Sequence, residues 1–400
     1  MVELYGRSLS RLALERRSGS LSQFAGVRLM TLGDGVERGV RCLEFRTGTG
    51  LRFTVLVDRA LDIADCEHKG RAVGWHSPSG FRHPGLHETE GEGGLGFLRS
   101  FSGLLVTCGL DHVGFVAEEP AGHYHYGPRS IVKHTIHGRI GAVPARLTGY
   151  GERWEGDRCI LWCEGVVQQS AVFGEDLHLH RRIEADLGGD EIRIHDRVVN
   201  HGFYETPHMV LYHLNVGYPV LDEGSRLLAP IADVVWASHA GQDYRGQGAG
   251  YRRMLGPQDG CHEQVWEHDL AADAEGRVPY AVVNDALGFG LAVEVVKAQL
   301  PCFTQWQHFQ AGAYSYCVTN VWEGWSRVVA HGSMDIDRGS WREQRSACGA
   351  WWRWSWARGA PVGWAGLSGR PRRGTAAFGP CRAVRGSEGG NVSRSEIRKP

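Results

Sequence analysis

From residue 26 to about residue 320, short apolar stretches of four to eight residues alternate with turn signals such as LGDG, TGTG, EHKG, YGERWEGD, LGGDE and DALGFG. This spacing, with few i, i+3, i+4 runs, predicts an antiparallel, all-β chain built from hairpins, with helix confined to a few short pieces. The segment DLHLHRRIEADLGGDEIRIHDRVVNHG shows the period plainly. Leu177, Leu179, Arg181 and Ile183 fall on one face, and His178, His180, Arg182 and Glu184 on the other. A Gly-Gly-Asp turn reverses the chain, and the return strand puts Ile192, Ile194, Asp196, Val198 and Asn200 on one face. Arg181 and Asp196 thus sit among aliphatics and are expected to meet as a buried pair. No fixed-period repeat is present, which disfavours a propeller or solenoid.

Two irregular spans interrupt the pattern. LHETEGEGGLGFL, residues 86–98, reads as a glycine-rich loop between strands, and AGQDYRGQGAGYRRMLGPQDG, residues 240–260, as a long surface excursion. Long loops on a β scaffold commonly carry a binding site.

With 400 residues and 42% of them hydrophobic, the chain is long enough for one large β domain. The net charge of -1 gives no global attraction for a polyanion, so no nucleic-acid partner is expected. The charge is uneven. Residues 325–400 hold 13 Arg and 1 Lys against 5 acidic residues, and seven of the 14 Trp. With 40 Arg and 4 Lys overall, the coding sequence reads as GC-rich, and a GC-rich sequence read out of frame yields such Arg, Gly, Trp and Ser excess. Three segments result: an N-terminal piece at 1–24, the β domain at 25–324, and an atypical tail at 325–400. A frame change near residue 322 is the favoured reading of the tail, and a disordered or nucleic-acid- or membrane-binding tail the alternatives. The start carries charges without an apolar core, and no run of about 18 apolar residues occurs, so neither a secretory signal nor a membrane anchor is expected and the compartment is read as cytoplasmic. The ten cysteines include no C-x-x-C pair. Cys159 and Cys163, roughly 13 Å apart on a strand, are expected to be buried thiols.

Candidate chemistry concentrates in HGFYETPHMVLYHLNVGYPVLDEGSRLLAP, residues 201–230. His208 and His213 are five apart and face opposite sides of a regular strand, so only a bend or bulge brings both to one site. The H-x-H spacings of His178/His180 and His123/His125 come with no legible third ligand, and no metal is expected.

Six segments occur in order over residues 25–321: VDRALDIADCEHKGRAVGWHSPSG, FSGLLVTCGLDHVG, HGRIGAVPARL, RVVNHG, PHMVLYHLNVGYPVLDEGSRL and LPCFTQWQHFQAGAYSYCVTNV. Together they resemble a bacterial branch of the aldose-1-epimerase, or galactose mutarotase-like, family. The resemblance implies a β-supersandwich with an open cleft for a monosaccharide or sugar derivative, no cofactor, and a monomer or homodimer. It implies a carbohydrate isomerase that opens the ring with a histidine acid and a late-strand glutamate base. By motif position the acid is His213, with His208 as its partner or replacement. The glutamate falls just after YCVTNV, where this chain has Trp322 and Glu323. Glu294 is the fallback, although its aliphatic flanks read as a buried structural carboxylate. Substrate contacts are expected from Arg59, Asp62, His112, His137, Arg139, Arg181, Asn215 and Gln305, with Trp306 or Tyr314 stacking on the sugar. A non-catalytic carbohydrate-binding protein and a proton-transfer isomerase of a keto sugar are the alternatives.

Overall fold

The computed structural model describes residues 1–123, 129–203, 205–238, 250–326 and 333–335. The hairpin of Asp176–Asp186 and Arg193–Asn200 forms in the predicted register, with Arg181 opposite Asp196, Ile183 opposite Ile194 and Leu179 opposite Val198. Its reversal passes through Gly188 at φ 83°, a left-handed conformation that costs glycine no Cβ clash. Arg158–Ser170 and Arg146–Glu155 extend this sheet on one side and Ser333–Asp335 on the other, giving five strands among the described residues.

A larger sheet, of eleven strands among the described residues, packs against it. Its hydrogen-bonded order runs Ile231–Ala237, Gln264–Leu270, Cys302–His308, Ser315–Ser326, Thr206–Val216, Leu105–Leu110, Asp62–His68, Leu51–Leu56, Arg41–Arg46 and Gly26–Thr31, with Arg71–Ala72 beside Asp62–His68. Thr206–Val216 therefore lies mid-sheet, far from either edge. Arg226–Leu228, Arg277–Asn284 and Phe289–Val296 form a third, small sheet. Every ladder between these strands is antiparallel. The fold is thus all-β, with helix confined to pieces such as Arg11–Glu15.

The inner faces share one apolar core that includes Phe45, Phe53 and Leu214 from the large sheet and Leu161, Leu179 and Ile194 from the five-stranded one. Burying each such side chain contributes about 1.5–3 kcal/mol. Cys159 and Cys163 sit in this core as buried free thiols. Val2, Leu4 and Leu14 reach the same core from the first segment.

A polar bolt crosses the core where the two sheets meet. The Arg181 guanidinium donates to both Asp196 carboxylate oxygens (2.9 and 2.6 Å), to Asp62 Oδ1 (3.1 Å) and to Thr107 Oγ1 (2.8 Å). Tyr212 Oη donates to Asp196 Oδ2 at 2.6 Å, and the Thr107 amide and hydroxyl donate to Asp62. Arg181 is 1% exposed, so every one of these charges relies on its partners rather than on water.

Candidate active site

The site begins with strand parity. Thr206–Val216 runs between its two neighbours in unbroken register, so His213 and His208 stay on opposite faces. His213 lies on the face turned away from the five-stranded sheet, and Tyr212, one residue earlier, points into the bolt. The bulge needed to unite the two histidines is not present. His208 is 1% exposed, with Nδ1 3.4 Å from the Leu110 carbonyl, and is not brought to His213.

Among the described residues, three rings wall His213: Phe101 at 4.7 Å, His137 at 5.6 Å and Trp306 at 5.9 Å between centroids, each close to edge-on. Each ring comes from a different part of the chain. Phe101 follows the short helical turns of the glycine-rich loop, among them Gly96–Arg99. His137 enters from the turn after Ile131–His134 at φ 59°, held where its amide donates to the Gly114 carbonyl and its own carbonyl accepts from the Gly109 amide. Only glycine fits at position 109, because a Cβ there would lie 2.2 Å from the Met209 carbonyl oxygen. Trp306 projects from Cys302–His308, paired with Cys317, while Thr304 pairs with Thr319, the residue opposite His213.

Hydrogen bonding sets the His213 tautomer. The Asn215 amide donates from Nδ2 to the Gly103 carbonyl at 2.9 Å, which turns Oδ1 toward His213 Nδ1 at 2.6 Å. A carbonyl oxygen only accepts, so the neutral ring carries its proton on Nδ1 and its lone pair on Nε2. Cys317 Sγ lies 2.8 Å from the same Nδ1, and burial holds its thiol well above the usual range, which removes it as a nucleophile.

Burial also acts on the histidines themselves. Loss of solvation pushes the His213 pKa down to about 4, and pushes that of His137 down to about 3 with help from the neighbouring His213 and His112. His208 and His268 are pushed down to about 4 by the same cause. These folded-state values lie below the unfolded value of about 6.5, so the histidines stabilise the fold while neutral. Their contribution is complete above about pH 6.5 and is lost as pH falls through the window down to about 4. Urea unfolding at pH 7 and pH 5 is expected to show a loss on the order of several kcal/mol at the lower pH. An unchanged midpoint would mean that these rings are hydrated.

The remaining candidates fall into two groups. Arg139 is near the aromatic wall, half-buried, with its amide donating to the Gly109 carbonyl and Nη1 3.8 Å from Glu90. Asn215 sets the His213 ring. The others hold the surroundings. Arg59, 3% exposed, donates to the Gly141, Arg82 and Ser100 carbonyls, and so ties the loop before Phe101 to the turn after His137. Asp62 and Arg181 belong to the inter-sheet bolt. His112 donates from Nε2 to the Phe115 carbonyl at 2.7 Å and stacks on His134. Gln305 lies on the opposite face of its strand from Trp306, bonded to His268 and to the Tyr251 carbonyl. Tyr314 donates to the Leu255 carbonyl and packs on Phe309.

Glu323 stands opposite Met209, four positions along the ladder from Thr319; its side chain lies outside the described residues, as do residues 239–249 of the second long loop and, apart from Ser333–Asp335, the tail beyond 326. Glu294, the fallback base, is half-exposed on the three-stranded sheet. The burial expected from its aliphatic flanks does not occur, because alternation turns Val293 and Val295 inward and Glu294 outward. Phe101 was not singled out from sequence, although it opens the quoted segment FSGLLVTCGLDHVG. Elsewhere a cavity of about 590 Å³ opens beside Tyr5, Gly48, Lys69 and Gly188, and it contains none of the candidate residues.

A family model described as "Domain of unknown function (DUF4432)" matches residues 37–319. In structure the chain is similar to a Klebsiella pneumoniae protein described as a "putative aldose 1-epimerase", with a TM-score of 0.70 at 22% identity over 85% of each chain. It is also similar to a galactose mutarotase-like protein from Clostridium acetobutylicum, with a TM-score of 0.53 at 11% identity, covering 84% of this chain and 99% of that one. No curated protein sequence matches the chain. Among the described residues no helix is long and apolar enough to cross a membrane.

Proposed function

The chain belongs to the DUF4432 family, built here on a galactose-mutarotase-like fold, and we propose that it is a cofactor-free aldose 1-epimerase acting on a monosaccharide or sugar derivative. One observation carries this reading: a buried histidine of fixed tautomer, His213, on the outer face of the large sheet between Phe101, His137 and Trp306. Interconverting anomers means opening a hemiacetal. The anomeric hydroxyl loses a proton while the ring oxygen gains one.

In this reading the Glu323 carboxylate across the bound sugar brings His213 to its imidazolium form; the imidazolium gives its Nε2 proton to the ring oxygen, returning to the neutral Nδ1–H tautomer, and Glu323 takes the proton of the anomeric hydroxyl. Ring closure on the other face reverses both transfers. Burial alone keeps His213 neutral, and a carboxylate across the bound sugar favours its protonated form, offsetting that burial. Trp306 offers a flat apolar surface to the sugar's CH face, and Arg139 offers donors that match vicinal hydroxyls.

The test is the exchange rate between anomers followed by NMR on a panel of aldoses, with a carbon-bound deuterium at C2. Accelerated exchange with the deuterium retained supports the reading. Loss of the deuterium identifies a keto-sugar isomerase, and saturable binding without acceleration identifies a carbohydrate-binding protein.

A further inference from the structure

His178 and His180 alternate with buried Leu177 and Leu179, which places both imidazoles on the outer face of the five-stranded sheet. The site described above does not use them. Their sequence spacing lacked a third ligand, and the fold supplies one. The return strand ends at Asn200, and the next residue, His201, donates its amide to the Asp176 carbonyl at 2.8 Å. This brings its ring to 4.1 Å from that of His178. One nitrogen from each of His178, His180 and His201 then lies within 4.8 Å of the others.

We propose that His178, His180 and His201 bind a divalent transition metal of the zinc class. Zinc–imidazole bonds of about 2.0–2.1 Å in a tetrahedron need nitrogens roughly 3.4 Å apart. The three nitrogens, at most 4.8 Å apart, are thus within about 1.4 Å of that spacing. Imidazole nitrogens select zinc, nickel or copper over calcium and magnesium, which prefer oxygen.

Two further features fit a ligand set. Asp176 Oδ1 accepts from His178 Nε2 at 2.9 Å, and Asp176 in turn accepts from Gln168 Nε2. That carboxylate orients the ring and leaves the lone pair on Nδ1, the arrangement by which outer carboxylates prepare metal-binding histidines. His180 Nε2 is buried and has no hydrogen-bond partner. Three protein ligands leave a fourth position for water. The metal would join the end of one hairpin strand to the connection that leads, five residues on, to Thr206, where the strand bearing His213 begins.

The experiment uses the full chain, stripped with chelator and titrated with Zn2+ alone by calorimetry, and with Co2+ by visible absorption. The expected result is saturation at one equivalent, with a Co2+ spectrum of low coordination number and a melting temperature that rises with Zn2+. His201→Ala, at an exposed position, is expected to abolish the equivalent, and Asp176→Asn to weaken it about 10- to 100-fold. His112→Ala serves as the control, because His112, Glu119 and His134 also lie within reach of a common ion; it is expected to leave the titration unchanged. No saturable binding, binding retained in His201→Ala, or binding lost in His112→Ala overturns the proposal. Circular dichroism of each variant separates lost ligation from lost folding.

Discussion

Replacing His213 with asparagine is expected to lower the rate of anomer exchange about 10²- to 10⁴-fold, the span by which a positioned proton-transfer group accelerates such a step. The expectation rests on geometry rather than on the residue type. Nδ1 is committed to Asn215, so Nε2 is the nitrogen left for proton transfer, on a ring walled by Phe101, His137 and Trp306. Asparagine keeps a polar group of smaller size and forms no imidazolium. The β-sandwich and weak sugar binding are expected to survive, read by circular dichroism and by sugar-dependent quenching of tryptophan fluorescence. Turnover equal to that of the parent protein would remove His213 from the proton-transfer role. Glu323→Gln tests the other half of the pair by the same assay, with a loss of similar size.

The second large effect concerns the core. Asp196→Ala is expected to destabilise the protein by about 3–5 kcal/mol, because it strips Arg181 of its bidentate partner and removes the carboxylate to which the Tyr212 hydroxyl donates. A domain's entire stability is about 5–15 kcal/mol, so about a fifth or more is at stake in one carboxylate. Arg181→Met in the same background removes the stranded charge and is expected to recover part of the loss. Urea unfolding of the single and double variants measures both. Midpoints that simply add would show that the two side chains do not act as a unit.

The bolt and the site differ in how far sequence could anticipate them. Arg181 and Asp196 were expected to pair because both lie on one hairpin, where a period of two and a tight turn set the register locally. That Arg181 also reaches Asp62 and Thr107, more than 70 residues earlier, was not visible, because it depends on which sheet packs against the hairpin. His208 and His213 show the same division. Their spacing implied opposite faces, but whether a bulge would unite them depended on the neighbouring strands, and those hold an unbroken register.

The residue types around His213 were likewise present in the quoted segments, yet several candidates sit elsewhere. Gln305 and Trp306 are adjacent in sequence, and only strand parity sends one to Tyr251 and the other to His213. Arg59 resembles a substrate-binding cation until its guanidinium is seen to be committed to three backbone carbonyls.

Alternation, turns and six collinear segments were enough to identify an antiparallel β-sandwich of galactose-mutarotase-like fold, because those signals are local or ordered along the chain. The assembly of Phe101, His137 and Trp306 around His213, and of His201 beside His178 and His180, was decided by tertiary structure. Side chains from distant segments share a site only through sheet order and packing, and neither quantity is written in any one stretch of sequence.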